Sequence, residues 1–279
     1  MEKNLHDSLE TLIDLAIKED LAGCDVTSEA IFKDNDNSRA KIIAKDTGVF
    51  CGGFVVEQVY SKIDTSVVVK VLARDGDKLS KGTVAVELSG PTKSLLAGER
   101  ISLNFIQRMS GISTMTSGFV ELVDGTGIKI LDTRKTLPAF RFIDKYSVKI
   151  GGGTNHRIGL FDMVMIKDNH IKSAGSITNA FNMVKAKWND KYKIEIETTN
   201  LDEVREAVQC GAYVIMLDNM DRPAMIEAIE IINGVSKIEI SGNMTADKII
   251  ALKDLRIDYI SLGALTHSVS AFDFSMKFD

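Results

Sequence analysis

The residues best suited to chemistry are cations gathered in one stretch. Between positions 131 and 171 lie Arg134, Lys135, Arg141, Lys145, Lys149, His156, Arg157, Lys167 and His170, with Gly151, Gly152 and Gly153 among them. The chain as a whole is acidic, with a net charge of −5 over 279 residues. A nucleic-acid footprint would spread over a face and make the domain basic. A local cationic cluster on an acidic protein points instead to a pocket for a small, multiply charged anion. Arginine grips a carboxylate or phosphate through paired N–H bonds, and lysine adds a point charge. The glycine run marks a place where backbone approaches something closely.

Carboxylates accompany the cations. Glu195 and Glu197 alternate in one apolar run, so both can face one side of a strand. Glu197 and Asp218 fall at or just beyond predicted strand ends. Two readings stand for that pair: a water-rich magnesium site serving a phosphate substrate, or fixed ion pairs with Arg157 or Lys135. The pairs Ser241-Gly242 and Gly263-Ala264 follow late strands, where backbone N–H groups of barrel enzymes often cradle a phosphate. His156, beside Arg157 and after the glycines, is expected to face ligand. The helical cations Arg141, Lys145 and Lys149 are as readily explained by solvation. No HExxH, P-loop, GxSxG or GxGxxG pattern occurs.

These residues need elements to hold them. Leu5, Leu9, Leu12, Ile13 and Ala16 recur at helical spacing, so the chain opens on an amphipathic helix. Positions 27–91 read as a small, mostly β module, with strands near 40–44, 67–72 and 83–88. Positions 92–124 read as helical, with a break at Gly111. From there strands and helices alternate. Strands are predicted at 128–131, 163–166, 194–196, 214–217, 238–240 and 259–262. Helices are predicted around 139–148, 177–188, 201–208, 222–232 and 246–252. Such alternation argues for a parallel sheet covered by helices. Polar groups follow almost every strand at its C-terminal end, the face where β/α barrels collect their active sites. Six strands fall short of eight, so the expected architecture is an incomplete barrel.

Composition sets the outer limits. Hydrophobic content of 44% and charged content of 26% are ordinary for a globular protein. Cys24, Cys51 and Cys210 fit no metal-ligand spacing and are expected to stay reduced, which suits a cytoplasmic protein. The opening residues lack the apolar core of a signal peptide, and no apolar run approaches a membrane span. Neither a nucleic-acid nor a membrane partner is expected.

Several of these motifs occur together in a known family. Asp132-Thr-Arg-Lys-Thr, Gly151-Gly-Gly-Thr-Asn-His-Arg, Ile166-Lys-Asp-Asn-His, Leu217-Asp-Asn-Met, Glu239-Ile-Ser-Gly and Ser261-Leu-Gly-Ala-Leu-Thr-His-Ser appear in order. Glu19-Asp-Leu, Asp25-Val-Thr-Ser and Gly98-Glu-Arg with Asn104 precede them. The chain thereby resembles the quinolinate phosphoribosyltransferases over nearly its whole length.

The resemblance implies an N-terminal α/β sandwich over 1–110 and an incomplete, open β/α barrel over 111–279, with the C-terminal tail returning to the first domain. It implies a homodimer that turns quinolinate and phosphoribosyl pyrophosphate into nicotinate mononucleotide, pyrophosphate and CO2, with Mg2+, in de novo NAD biosynthesis. Arg100, Arg134, His156, Arg157 and Lys167 would bind the quinolinate carboxylates, with Arg100 reaching the neighbouring subunit's pocket. Lys135, with Thr133, would meet the phosphoribosyl donor. Glu197 and Asp218 would hold the ribose hydroxyls or, through water, the metal. Ser241, Gly242 and Gly263 would take the 5-phosphate, and Lys135, Glu197 and Asp218 would carry the catalysis.

Two positions depart from the family pattern: Thr154, where many members have histidine, and Asn243, where many have glycine. Asn243 can adopt a left-handed backbone, so the loop can keep its shape. Two other classes compete. One is a Schiff-base aldolase with Lys167 as nucleophile. The other is an anion-binding accessory protein that binds ligand without releasing pyrophosphate.

Overall fold

The computed structural model describes residues 2–279, with side chains of the opening helix described from Asp7 onward. The chain divides into two compact units. The first holds the residues up to Gly118, together with Thr136–Gly152 and Ala264–Asp279; the second holds Phe119–Lys135 and Gly153–Gly263. The elements of the N-terminal stretch are α1 (Glu2–Leu21), α2 (Val26–Ile31), β1 (Asn37–Ala44), β2 (Gly48–Val49), α3 (Gly53–Ile63), β3 (Val68–Val71), β4 (Lys78–Leu79), β5 (Val84–Pro91) and α4 (Thr92–Leu122). Then follow β6 (Lys129–Leu131), α5 (Arg141–Ile150), β7 (Val164–Ile166), α6 (Asp168–Ala174), α7 (Ile177–Trp188), β8 (Ile194–Thr198), α8 (Leu201–Cys210), β9 (Val214–Asp218), α9 (Arg222–Ile232), β10 (Lys237–Ser241), α10 (Ala246–Ile250), β11 (Tyr259–Ser261), α11 (Ala264–His267) and β12 (Phe274–Phe278).

The first unit is an α/β sandwich. Its antiparallel sheet runs β12-β1-β5-β3, so the last strand of the chain pairs with the first. Ile42, Val86, Leu88 and Phe274 from the sheet share a core with Val56, Tyr60, Leu95 and Leu103 from the helices. The mostly β expectation for 27–91 missed α3. Its Val55, Val56, Val59 and Tyr60 are buried at helical spacing, but β-branched residues mimic strand composition. Gly98 lets the Tyr60 ring lie on α4, where a Cβ would stand 2.7 Å from the ring's Cζ, and the Tyr60 hydroxyl donates to the Leu95 carbonyl at 2.8 Å. In α1, Leu9 and Ile13 are fully buried, as the periodicity predicts; Leu5 lies outside the described side chains.

Two further expectations are corrected here. Helix α4 runs unbroken through Gly111. That glycine admits neighbouring backbone: a Cβ there would press on the Ser270 carbonyl oxygen and lie 3.2 Å from the Phe272 nitrogen. Lys145, read as a solvated cation, is only 1% exposed.

The second unit is an open β/α barrel. Its six strands lie in the order β6-β11-β10-β9-β8-β7, and every neighbouring pair is parallel. A closed barrel would pair β6 with β7; here that seam is open. The crossover between those two strands carries α5, which is packed in the first unit, with Ile143 in a cluster of Leu9, Ile13, Val59 and Ile101. Beside β6, Thr154 forms an isolated parallel bridge with Leu131. The remaining crossovers supply helices with local caps. Asn200 accepts the Glu203 N–H to start α8, and Asp221 accepts the Ala224 N–H to start α9. Ile196, Ile215, Leu217, Ile240 and Ile260 are completely buried along the strands.

Candidate active site

The site is built from strand ends of the second unit. A cavity of about 330 Å³ opens there, lined by Thr133, Arg134 and Lys135 after β6, by His156 and Arg157, and by Met165 and Lys167 at β7. Met216, Glu239, Ser241 and Ser261 from β9, β10 and β11 complete it. Its volume falls in the range of small-ligand pockets. A larger cavity of about 780 Å³ lies at the opposite, N-terminal ends of the strands, lined by Ile229, Ile238, Asp254 and Asp258 with Arg256 as its one arginine or lysine. In β/α barrels chemistry sits at the C-terminal face, so the smaller, cationic cavity is the candidate.

Local structure explains how the cations arrive. Asp132, completely buried at the end of β6, accepts the His156 N–H at 2.8 Å and the Asn155 side-chain amide at 2.7 Å. One buried carboxylate thus ties the segment after the glycines to the strand that carries Thr133, Arg134 and Lys135. The close approach expected of the glycine run is seen at Gly151. A Cβ on Gly151 would stand 2.7 Å from Thr116 Cβ on α4, so its close approach is to a helix within the first unit. Thr133 Oγ1 accepts the Lys135 N–H at 3.0 Å, and Arg157 Nη1 donates to the Met163 carbonyl at 3.0 Å. Burial, and then the neighbouring Arg134 guanidinium, lower the pKa of Arg157 below its ordinary value. Cations pressed together in this way are suited to an anion.

Glu197 does not meet Arg157 or Lys135, the partners considered from sequence; it forms an ion pair with Lys167. Asp218 Oδ2 accepts the Asn219 side-chain amide at 2.8 Å. Neither carboxylate lines the cavity itself, and neither does Gly242 or Gly263. Asp218 pairs in register with Ser241, which does line it, and Gly242 follows directly. Gly242 has φ 105° and Asn243 has φ 43°, so the departure at 243 keeps the left-handed backbone that asparagine tolerates. His170 is exposed and turns inward on its own helix start, its Nδ1 accepting the Lys167 N–H at 3.0 Å. Arg100 belongs to the first unit, is exposed on α4, and has no ion-pair partner among the described residues.

Sequence reasoning placed Glu195 in the interior but gave it and Glu239 no role. Both are 1% exposed, and both carboxylates reach the same atom, His156 Nε2, at 3.1 and 3.5 Å. Burial by itself would lower the imidazole's pKa. Hydrogen bonds to the two glutamates, and their charges, outweigh burial and push it up to about 10. The Arg157 N–H also points at His156 Nδ1 from 2.7 Å, which fits a neutral ring. That single contact between chain neighbours is outweighed by the two charge-assisted contacts at Nε2. Two buried carboxylates beside an uncharged ring would be far more costly, so the imidazolium is the better description. Burial, and then Glu239, raise the pKa of Glu195.

A parallel open barrel with clustered cations at its C-terminal face defines a β/α-barrel protein with a site suited to a multiply charged anion. Comparison with known proteins narrows this. The family model for the quinolinate phosphoribosyl transferase N-terminal domain matches residues 25–110, and that for the C-terminal domain matches 112–277. The chain belongs to the quinolinate phosphoribosyltransferase family. It is 42% identical over 271 residues to the probable nicotinate-nucleotide pyrophosphorylase [carboxylating] of Bacillus subtilis, spanning 97% of this chain and 93% of that protein. It is 40% identical to quinolinate phosphoribosyltransferase [decarboxylating] 1b of Nicotiana tabacum, over 97% of this chain and 82% of that protein. Among solved structures, NadC from Streptococcus pyogenes superposes with a TM-score of 0.93 at 39% identity, covering 96% of this chain and 95% of that one.

Proposed function

We propose that this enzyme is a quinolinate phosphoribosyltransferase, joining quinolinate to phosphoribosyl pyrophosphate with release of pyrophosphate and CO2. The observation that carries the reading is Arg134, Lys135, His156, Arg157 and Lys167 lining one cavity on an acidic protein. Quinolinate is a dianion, and its carboxylates match Arg134, His156, Arg157 and Lys167. Lys135 and Thr133 face the pyrophosphate-bearing donor. Ser241, Gly242 and Gly263 take its 5-phosphate, and Glu197 and Asp218 its ribose hydroxyls.

The pyridine nitrogen attacks C1 of the ribose as the bond to pyrophosphate breaks through an oxocarbenium-like state. Catalysis at that step is positioning and electrostatics. Loss of CO2 then leaves an electron pair at C2, which the N-ribosylated, positively charged ring stabilises until a proton arrives. No protein nucleophile is required. Lys167 sits in an ion pair with Glu197, whereas a Schiff-base lysine is held uncharged in an apolar setting.

Magnesium fits the donor set as a water-mediated partner of Glu197 and Asp218. Both offer hard oxygen ligands, but Glu197 already faces an ammonium group, which disfavours direct coordination. When bound, the ion would neutralise the departing pyrophosphate. We further infer a homodimer in which Arg100 completes the partner's pocket, working in the cytoplasm. Three unbridged cysteines agree with that compartment, and no described helix is long and apolar enough to cross a membrane.

Incubation with quinolinate, phosphoribosyl pyrophosphate and Mg2+ tests the reading through formation of nicotinate mononucleotide. Nicotinate in place of quinolinate should not turn over, because it leaves a cation of the pocket without its carboxylate. Equal turnover of the two acids refutes the assignment. Asp218→Asn should lower turnover by at least about 100-fold while quinolinate affinity stays nearly intact. Collapse of quinolinate affinity with donor affinity preserved would show that Asp218 serves the other substrate.

A further inference from the structure

Glu195 lies on β8 and Glu239 on β10, with β9 between them. Their side chains nevertheless meet at one nitrogen of His156. Each is essentially removed from water. Burying a carboxylate costs several kcal/mol unless it is paired and hydrogen-bonded. Hydrophobic side chains fill the equivalent inward space elsewhere on these strands, with Met165 beside Glu195 on β7 and Met216 beside Glu239 on β9. Two acids at this point are therefore not needed to fill the barrel.

The bonding around them is directional. The Ser261 hydroxyl donates to Glu239 Oε1, which leaves Oε2 for His156. Glu195 offers Oε2 to the same nitrogen, and its Oε1 has no hydrogen-bond partner among the described residues. The imidazole side chain is 8% exposed and lines the cavity. Its backbone N–H is held separately by Asp132. Main chain and ring tip are thus fixed from opposite sides. Nε2 is taken by the glutamates and Nδ1 lies 2.7 Å from the Arg157 N–H, so both ring nitrogens have a fixed direction.

We infer that Glu195 and Glu239 are positioning residues for quinolinate, acting through His156 by locking its ring and holding Nε2 away from the substrate. The inference rests on reading this cavity as the quinolinate site. The glutamates touch no substrate; they set the direction from which the imidazole meets a carboxylate. A divalent metal could also use a histidine and two glutamates, whose ligand atoms here lie within 4.8 Å of one another. Arg134 and Arg157 line the same cavity, Arg157 close enough for its charge to act on Glu195, and Ser261 occupies Glu239. Guanidinium groups around the cluster favour an anion above it and disfavour a second cation within it.

The test compares the wild type with Glu195→Gln, Glu239→Gln and Glu195→Met, measuring KM for each substrate, kcat, thermal stability and the imidazole N–H signals of His156 by NMR. The wild type, turning over quinolinate, should show an exchange-protected Nε2 proton. In Glu195→Met that proton should lose protection, and the KM for quinolinate should rise roughly 10-fold to 100-fold, the usual cost of removing a residue that orients a ligand-binding histidine. Glu195→Gln keeps an acceptor and should fall between. The KM for phosphoribosyl pyrophosphate should stay within about twofold, since the glutamates do not face the donor.

A lower melting temperature with both KM values unchanged would overturn the inference, because it marks core carboxylates only. Equal loss for both substrates would also overturn it. So would stoichiometric zinc or magnesium on the wild type that disappears in the variants. If Glu195→Met does not fold, the wild-type Nε2 signal and the two glutamine variants still decide. Failure of the wild type to use quinolinate would count against the proposed function itself, and is distinguishable from these outcomes.

Discussion

At the scale of single residues, His156 sets a pH dependence whose sign can be worked out. Its folded pKa is raised from 6.5 to about 10. Between those values the folded protein binds a proton that the unfolded chain has released. Stability therefore falls as pH rises through this window, and the contribution is fully present only below about 6.5. His156→Gln has no proton to lose there. Urea midpoints at pH 7 and pH 9.5 should show a steeper decline for the wild type than for the variant; parallel declines would mean the imidazole is not held protonated. The cations of this site were legible in sequence because they are chemically distinctive, and because Arg134, Lys135 and Lys167 closely follow strands. The convergence of Glu195 and Glu239 was not. Alternation shows that Glu195 can point inward, but only the register of β8, β9 and β10 brings it to the same atom as a residue on a different strand.

At the scale of elements, α4 shows why glycine in a helical pattern is ambiguous. Helix propensity alone favours alanine over glycine by about 1 kcal/mol. At Gly118 a Cβ would meet nothing within 4 Å, so Gly118→Ala should stabilise by up to about that amount. At Gly111 the same change drives a methyl into the Ser270 carbonyl and toward Val269 and Phe272. Overpacking against backbone typically costs 1–3 kcal/mol. It should therefore win on balance, by up to about 2 kcal/mol, and Gly111→Ala should lower the melting temperature by up to roughly 4 °C for a protein of this size. Opposite signs at two glycines of one helix are the outcome to look for by calorimetry. A shared increase would mean that the segment around Ser270 moves aside. The barrel strands, by contrast, were readable to within a few residues, because short apolar runs bounded by polar ends recur six times. Helix α3 was hidden by its valines. That the barrel is open was expected from its six strands, but a strand list carries no pairing and so does not place the seam between β6 and β7.

At the scale of the whole molecule, the pocket as described receives all its cations from the second unit, while Arg100 belongs to the first. Gly98 beneath Tyr60 fixes which face of α4 is buried, and Arg100 is left exposed on the same helix. An exposed arginine without an ion-pair partner among the described residues suits a contact made outside its own subunit. In a two-fold dimer a residue far from its own site can complete the partner's. Arg100→Ala should then fold and dimerise but bind quinolinate poorly, and Lys167→Ala should fail through its own barrel. Mixed under conditions that exchange subunits, the two inactive proteins should recover activity. In each heterodimer one site collects both defects, and the other joins an intact barrel to an intact Arg100. Random exchange of equal amounts makes half the dimers mixed, so activity should approach about a quarter of the wild-type value, one restored site in four. Subunit exchange is followed independently by native mass spectrometry of a tagged partner. Demonstrated exchange without recovery would place Arg100 in its own subunit's site or outside any site, and the shared-site dimer would be wrong.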